Sequence, residues 1–278
     1  MKQRILLISD YCSYGTISLG ASIPILERMG FRVSVLPTAL VSSTFSKEKV
    51  AQMDTTLYVR NALAAWNAMG FQFDAIFSGF VVSDEESKII ADFCERKGIE
   101  GARIYVDPIM GDDGALYDGV SKYAVDRTRR IMEVADYAIP NVTEACLLSS
   151  RDPSKAKHSF SQLHANSIVD NLCSQGVRSV VITSCIVEEQ PSVVGYDAES
   201  EQYFTYPIHV VPKYFPGTGD IFSSLIMGLT MHGDSLPVAT QKAMDAVHTL
   251  VERNKDVEDA DNGIDLSASM DVIDALIK

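Results

Sequence analysis

The sequence predicts an α/β protein, with a mostly parallel central sheet and helices on both of its faces. Three observations carry this. Short apolar runs of strand length alternate with amphipathic segments of helix length through most of the chain. Gly30, Gly70, Gly98 and Gly176 follow four of the helical segments, where left-handed C-terminal caps would put them. The composition, 46% hydrophobic and 22% charged over 278 residues, is that of a globular protein with a substantial core. A β-then-α rhythm needs crossovers, and crossovers cover both faces of a parallel sheet.

Taken in order, ILLIS marks a buried first strand over Ile5–Ser9, an apolar run too short for a signal peptide. A helix over Ile17–Met29 and a strand over Arg32–Leu36 follow, then a helix over Leu57–Met69. The pairing repeats with Ala75–Ser78 and Asp84–Lys97, and again with Arg103–Asp107 and Lys122–Val134. Tyr137–Ile139 is a short strand, Ser161–Gln175 a helix and Val177–Thr183 the last strand of this rhythm. Beyond Thr183, Ser192–Tyr196 and Tyr203–Val210 read as an antiparallel pair across the polar turn DAESE. A helix then runs to about His232, and another from about Leu236 to Arg253. The acidic KDVEDADNGID reads as an exposed connector. With no internal repeat and no shift of composition, residues 1–278 are expected to form one domain.

A net charge of −13 argues against general affinity for nucleic acid or an anionic membrane. No stretch is apolar for long enough to span a bilayer. Cys12, Cys94, Cys146, Cys173 and Cys185 are odd in number and form no CxxC, which points to reduced thiols and a cytoplasmic protein. The five histidines do not cluster with them, which argues against zinc.

In open α/β sheets, ligands bind beyond the carboxyl ends of the strands. Three polar stretches lie there. In FPGTGDIFSSLIMG (215–228), a loop turns into a helix at Asp220. Gly217 and Gly219 allow close backbone approach, and a helix N-terminus with unpaired N–H groups is a phosphate cradle. Asp220 at its mouth is placed to accept a proton from a hydroxyl, while the helix dipole favours its ionised form and makes it a weak base. The same residues are equally compatible with a turn and an N-cap made by Thr218 or Asp220. In YVDPIMGDDG (105–114), Asp107 ends a strand and Asp112 and Asp113 follow in a turn; acids beside a phosphate suit magnesium or a monovalent cation, although such loops also form for conformational reasons alone. In ADYAIPNVTEACLL (135–148), Asn141 and Glu144 have the spacing of a capping box, and Glu144 is also able to hold a hydrated magnesium ion.

The order DPxMGD, PNxxE, TS and GTGD resembles the ribokinase-like superfamily and, within it, the pyridoxal/pyridoxamine kinases. SGFVVSDEE (78–86), VDPIMGDDGALY (106–117) and PNVTEACLL (140–148) carry the resemblance most closely. It implies a three-layer α/β/α sandwich, a homodimer, and transfer of phosphate from Mg-ATP to the 5′-hydroxymethyl group of pyridoxal, pyridoxine or pyridoxamine. It further implies that Asp220 is the catalytic base and that Gly217, Thr218 and Gly219 form the anion hole. Asn141 and Glu144 correspond to the magnesium and phosphate region, Asp107 and Asp112 to acids near the metal or a monovalent cation such as K+, and Thr183 and Ser184 to a pair touching the ATP phosphates. Ser9 corresponds to a serine that bonds the pyridine ring.

Some positions depart from the family. VSSTFSKEKV replaces the His-Thr-Gly segment after the second strand, leaving Ser42, Ser43 and Thr44 as approximate substrate contacts. Phe80 stands for a tyrosine and Ile139 for a threonine. All of these lie on the ring or cation side, and the phosphoryl-transfer side is intact. Two other readings follow: a hydroxymethylpyrimidine kinase, which shares the phosphate site, and a protein that binds pyridoxal or nucleotide without catalysis.

Overall fold

The structure, a computed structural model, describes residues 2–44 and 50–277. Its elements run β1 (Arg4–Cys12), α1 (Leu19–Arg28), β2 (Arg32–Val41), β3 (Gln52–Asp54), α2 (Thr56–Ala68), β4 (Ala75–Ser78) and α3 (Asp84–Ile99). Next come β5 (Arg103–Val106), β6 (Gly111–Asp112), β7 (Ala115–Leu116), α4 (Ala124–Met132), β8 (Tyr137–Ala138), α5 (Val142–Leu148) and α6 (Gln162–Cys173). The chain ends through β9 (Ser179–Val187), β10 (Gln190–Asp197), β11 (Gln202–Pro207), α7 (Thr218–Met231), α8 (Leu236–Asn254) and α9 (Met270–Leu276).

Among the described residues, one sheet has the order β11-β10-β9-β8-β5-β4-β1-β2-β3. The strands from β2 through β9 in that order are parallel, and β3, β10 and β11 are antiparallel additions. The chain leaves β1 for β2 on one side and returns to β4 on the other. That reversal opens a crevice outside the carboxyl ends of β1 and β4.

Strand alternation splits the interior into two cores. Leu6, Ile8, Ile76, Ile104, Val106, Val180 and Ile182 face one of them, with Val59, Ile90, Phe93, Met132, Leu148 and Leu172 from α2 to α6. Ile5, Leu7, Phe77, Tyr105 and Val181 face the other, with Ile25, Leu225, Ile226, Leu250 and Ile273 from α1, α7, α8 and α9. Each such aliphatic side chain contributes roughly 1.5–3 kcal/mol by leaving water. The result is the expected three-layer sandwich.

Several boundaries differ from the sequence reading. β1 and β2 continue past the apolar runs, with Tyr11 opposite Leu40 and Cys12 opposite Val41, because backbone pairing does not require apolar side chains. α3 runs through Gly98, and Gly101, at φ +103°, takes the left-handed position instead. β3 lies on the edge with all three residues exposed, so no alternating pattern announced it. The turn after Met110 is a small β6–β7 hairpin with Asp112 inside a strand; Asp113 and Gly114 both take positive φ, as a two-residue hairpin turn requires. No described helix is long and apolar enough to cross a membrane, and all five cysteines are free.

Candidate active site

The site forms where α7 begins. Gly217 precedes α7 at φ +87°, and a Cβ there would lie 2.6 Å from the Thr16 carbonyl oxygen. Only glycine fits, because Thr16 is itself held by its N–H donating to the Asn262 carbonyl at 2.8 Å. No side chain caps α7. Thr218 Oγ1 donates to the Phe215 carbonyl at 3.2 Å, and Asp220 accepts instead from the Ser18 N–H at 2.8 Å. The capping alternative therefore does not describe this helix. Its N-terminus carries a positive dipole end and lacks a cap, and the space beside Gly219 is open.

Asp220 is 9% exposed. Burial pushes its carboxyl up to about 8, Asp107 and then Asp10 push the same way, and the Ser18 N–H opposes them. The dipole argument predicted the reverse. Removal from water and two neighbouring acids outweigh half a unit of helix charge, so Asp220 is a stronger base than its place on α7 suggests.

Asp107, at the end of β5, accepts from Ser223 Oγ at 2.7 Å, one turn into α7 beyond Asp220. Burial raises its carboxyl as well. Asn141 and Glu144 form a complete capping box on α5. Glu144 Oε2 accepts from the Asn141 N–H at 2.9 Å and Oε1 from the Met110 N–H at 3.0 Å, which ties the 107–111 loop to α5. Asn141 Nδ2 donates to the Gly111 carbonyl at 2.8 Å. Glu144 is raised well above its ordinary value by burial and by Asp107. Asp112 is half-buried, accepts from the Asp113 N–H at 2.8 Å and is raised by burial.

Among the described residues, no three His, Cys, Asp or Glu side chains are arranged to hold a bare metal ion. Yet among the described residues, no lysine or arginine is among the groups that set the ionisation of Asp107, Glu144 and Asp220. Buried acids with no counter-ion among the described residues, and with oxygens already committed to N–H donors, fit a cation that keeps its water shell.

Thr183 lies in β9, its N–H donating to the Pro140 carbonyl at 3.0 Å and its backbone bridged to Asn141. Ser184 follows at φ +60°. The Thr-Ser pair and the Asn-x-x-Glu motif thus lie side by side. Ser9, 2% exposed, has its hydroxyl engaged: Oγ accepts from the Phe80 N–H at 3.2 Å, lies 3.0 Å from Ser18 Oγ and is 3.3 Å from Asp10 Oδ1. Phe80 is buried after β4, its carbonyl accepting from Thr38 Oγ1 at 2.6 Å. Ser42 closes the following loop by accepting from the Ala51 N–H, and Ser43 and Thr44 stand at its start. The rest of the departing segment, residues 45–49, lies outside the described residues.

Sequence reasoning missed Asp10, Ser18, Ser223 and Tyr117. Asp10 adjoins Ser9 at a strand end and was legible as an acid at the binding edge. Tyr117, whose phenol is raised by burial and by Glu144, Asp112 and Asp107, carried no comparable signal. A cavity of about 420 Å³ lined by Arg4, Glu27, Arg32 and Phe73 lies at the amino ends of β1 and β2 and shares none of this chemistry.

Comparison with known proteins places the chain in a family. The family model for phosphomethylpyrimidine kinase matches residues 22–265. A pyridoxal kinase of Dictyostelium discoideum is 32% identical over 270 residues, covering 90% of this chain and 86% of that protein. A Bacteroides thetaiotaomicron protein assigned to the phosphomethylpyrimidine kinases and crystallised with pyridoxal superposes with a TM-score of 0.92 at 32% identity, covering 100% of this chain and 96% of that one. The pyridoxal kinase of Lactobacillus plantarum gives a TM-score of 0.86 at 26% identity, covering 99% and 97%. Within the ribokinase-like superfamily, the chain belongs to the pyridoxal kinase family.

Proposed function

We propose that this protein transfers the γ-phosphoryl group of ATP to the 5′-hydroxymethyl group of pyridoxal, pyridoxamine or pyridoxine. One observation carries the reading: Asp220, buried and raised to about 8, stands in the first turn of an uncapped helix with an open glycine beside it. A base near the working pH and an anion cradle within one helical turn are what phosphoryl transfer to a hydroxyl needs.

Ionised Asp220 accepts the hydroxymethyl proton. Gly217, Thr218 and Gly219 line the transferring phosphoryl group with backbone N–H groups, and the dipole of α7 stabilises its charge. Thr183 and Ser184, beside Asn141, take the remaining ATP phosphates. Phe80 and the Ser43–Thr44 segment border the ring. Mg2+ would be held through water by Asp107, Asp112 and Glu144, and K+ would share that acidic region. When bound, these cations neutralise phosphate charge.

The same reading takes residues 1–278 as one domain, supported by two cores resting on one sheet. A homodimer is supported by exposed Leu40, Met53, Leu57 and Tyr58 near the β3 edge; sedimentation tests it. Five free thiols support a cytoplasmic location.

The test is ATP consumption with each vitamer and with hydroxymethylpyrimidine in parallel, with Asp220→Ala as control. Turnover on a vitamer, lost in the variant, supports the proposal. Turnover on hydroxymethylpyrimidine alone supports the second reading, favoured by the description of the matching family model. Loss of ATP binding in Asp220→Ala would assign Asp220 a structural role instead. Chelation that leaves the rate unchanged would remove Mg2+ from the proposal.

A further inference from the structure

We infer that the cavity at the amino ends of β1 and β2 binds a small phosphate monoester, whose phosphate lies between Arg4 and Arg32 and whose planar ring lies against Phe71 and Phe73. The cavity is on the sheet edge opposite Asp220, and the inference does not depend on the kinase reading.

Two arginines stand apart from the rest. Every other arginine of the described residues pairs with a carboxylate, donates to a carbonyl or hydroxyl, or lies over an aromatic ring. Among the described residues, the guanidinium groups of Arg4 and Arg32 have no such partner. They are also neighbours, because Arg4 is opposite Arg32 in the parallel β1–β2 ladder. Adjacent strands lie about 4.8 Å apart and residues in register leave the same face, so both side chains line one cavity.

Like charges so placed repel each other, which is a cost in a chain whose net charge of −13 offers many acids to relieve it. Two carboxylates are close by without doing so. Asp74 Oδ2 accepts from the Arg4 backbone N–H at 2.7 Å, and Glu27 lines the cavity without an ion pair to either arginine. A phosphate dianion matches this pair. It brings two charges to two guanidinium groups, and each planar fork offers it parallel N–H donors. A carboxylate would leave one positive charge over.

The cavity is about 420 Å³, a size that takes a small molecule, and Ser34 adds a hydroxyl to its lining. Its remaining wall is aromatic. Phe71 is 41% exposed and Phe73 is buried, and Trp66 packs on both with ring centroids 6.4 and 6.0 Å away. A planar ring finds a stacking face there. The same wall supplies a reporter, since Trp66 is the only tryptophan of the chain.

The experiment titrates the protein with phenyl phosphate and follows Trp66 emission, beside parallel titrations with inorganic phosphate and with phenol. Expected is a saturable change with phenyl phosphate, at a Kd about ten-fold or more below those of the other two. Arg4→Gln and Arg32→Gln should each raise that Kd about ten- to a hundred-fold, the worth of a charge-assisted hydrogen bond, and Arg32→Lys should raise it less. Glu27→Gln removes a repelling charge and should lower it. Both arginines are exposed, so the variants should melt with the wild type and match its ATP consumption. Unchanged Trp66 emission, or a Kd indifferent to both arginine variants, overturns the site. Phenol binding as tightly as phenyl phosphate overturns the arginine clamp, and inorganic phosphate binding as tightly overturns the part given to the ring.

Discussion

Replacing Asp220 by Asn is expected to lower turnover by orders of magnitude and stabilise the fold together. The carboxyl is 9% exposed, and burial with Asp107 and Asp10 raises it from 3.8 to about 8. The folded state therefore holds this proton more tightly than the unfolded chain. Stability from this group is fully present below about pH 3.8, declines as pH rises, and is lost once pH passes about 8. At about 1.4 kcal/mol per pH unit, the ceiling is about 6 kcal/mol. Water entry and relaxation lower that ceiling, and a gain of about 1–3 kcal/mol in the variant near pH 8 is the expected size. For a chain of this length that is roughly 2–5 °C in Tm. Asn is able to accept the Ser18 N–H in place of the carboxylate, so the change removes charge and keeps the hydrogen bond. The assay is thermal unfolding of both proteins without ligand from about pH 4 to about pH 9, beside a turnover measurement. The stability gap should be near zero at the acid end and grow up to about pH 8. A variant no more stable than the wild type at pH 8 would refute the claim that an uncompensated carboxylate is buried here. Loss of kcat should be about 10²–10⁴-fold, and retained turnover would refute the base.

Gly217→Ala places a Cβ 2.6 Å from a fixed carbonyl at φ +87°, and should cost about 2 kcal/mol or more along with activity. Gly219→Ala meets nothing within 4 Å, so its melting should match the wild type while the ATP KM rises; the two melts and one kinetic series check the contrast. Glu144→Ala leaves the N–H groups of Met110 and Asn141 without their acceptor and should lower stability by about 2–4 kcal/mol in urea unfolding, with Glu144→Gln losing less. Because only ionised Asp220 accepts a proton, kcat/KM for the vitamer should climb with pH through about 8, and a profile flat across that region would count against the assignment.

Local patterns were legible because they repeat within a few residues. Unbroken apolar runs at Ile5–Ser9 and Ala75–Ser78 marked strands since each faces two cores, and the edge strand Gln52–Asp54 was silent since it faces none. The order of acidic and glycine motifs was also local, and it led to the family. Motifs with two local meanings needed contacts to resolve them. Asn141 and Glu144 are a capping box that also fastens Met110, while GTGD starts a helix without capping it.

What the sequence alone determined is the β/α order and the carboxyl-edge placement of the polar stretches. Hydrophobic periodicity and turn chemistry act over a few residues, and they suffice for that. Tertiary structure alone decided which groups meet and how they ionise. Ser18 and Asp220 are 202 positions apart, and only the packing of α1 against α7 joins them. The helix dipole that favours an ionised Asp220 is written into its neighbours in sequence. The burial, and the fields of Asp107 and Asp10 that reverse it, come from chain segments brought together in space.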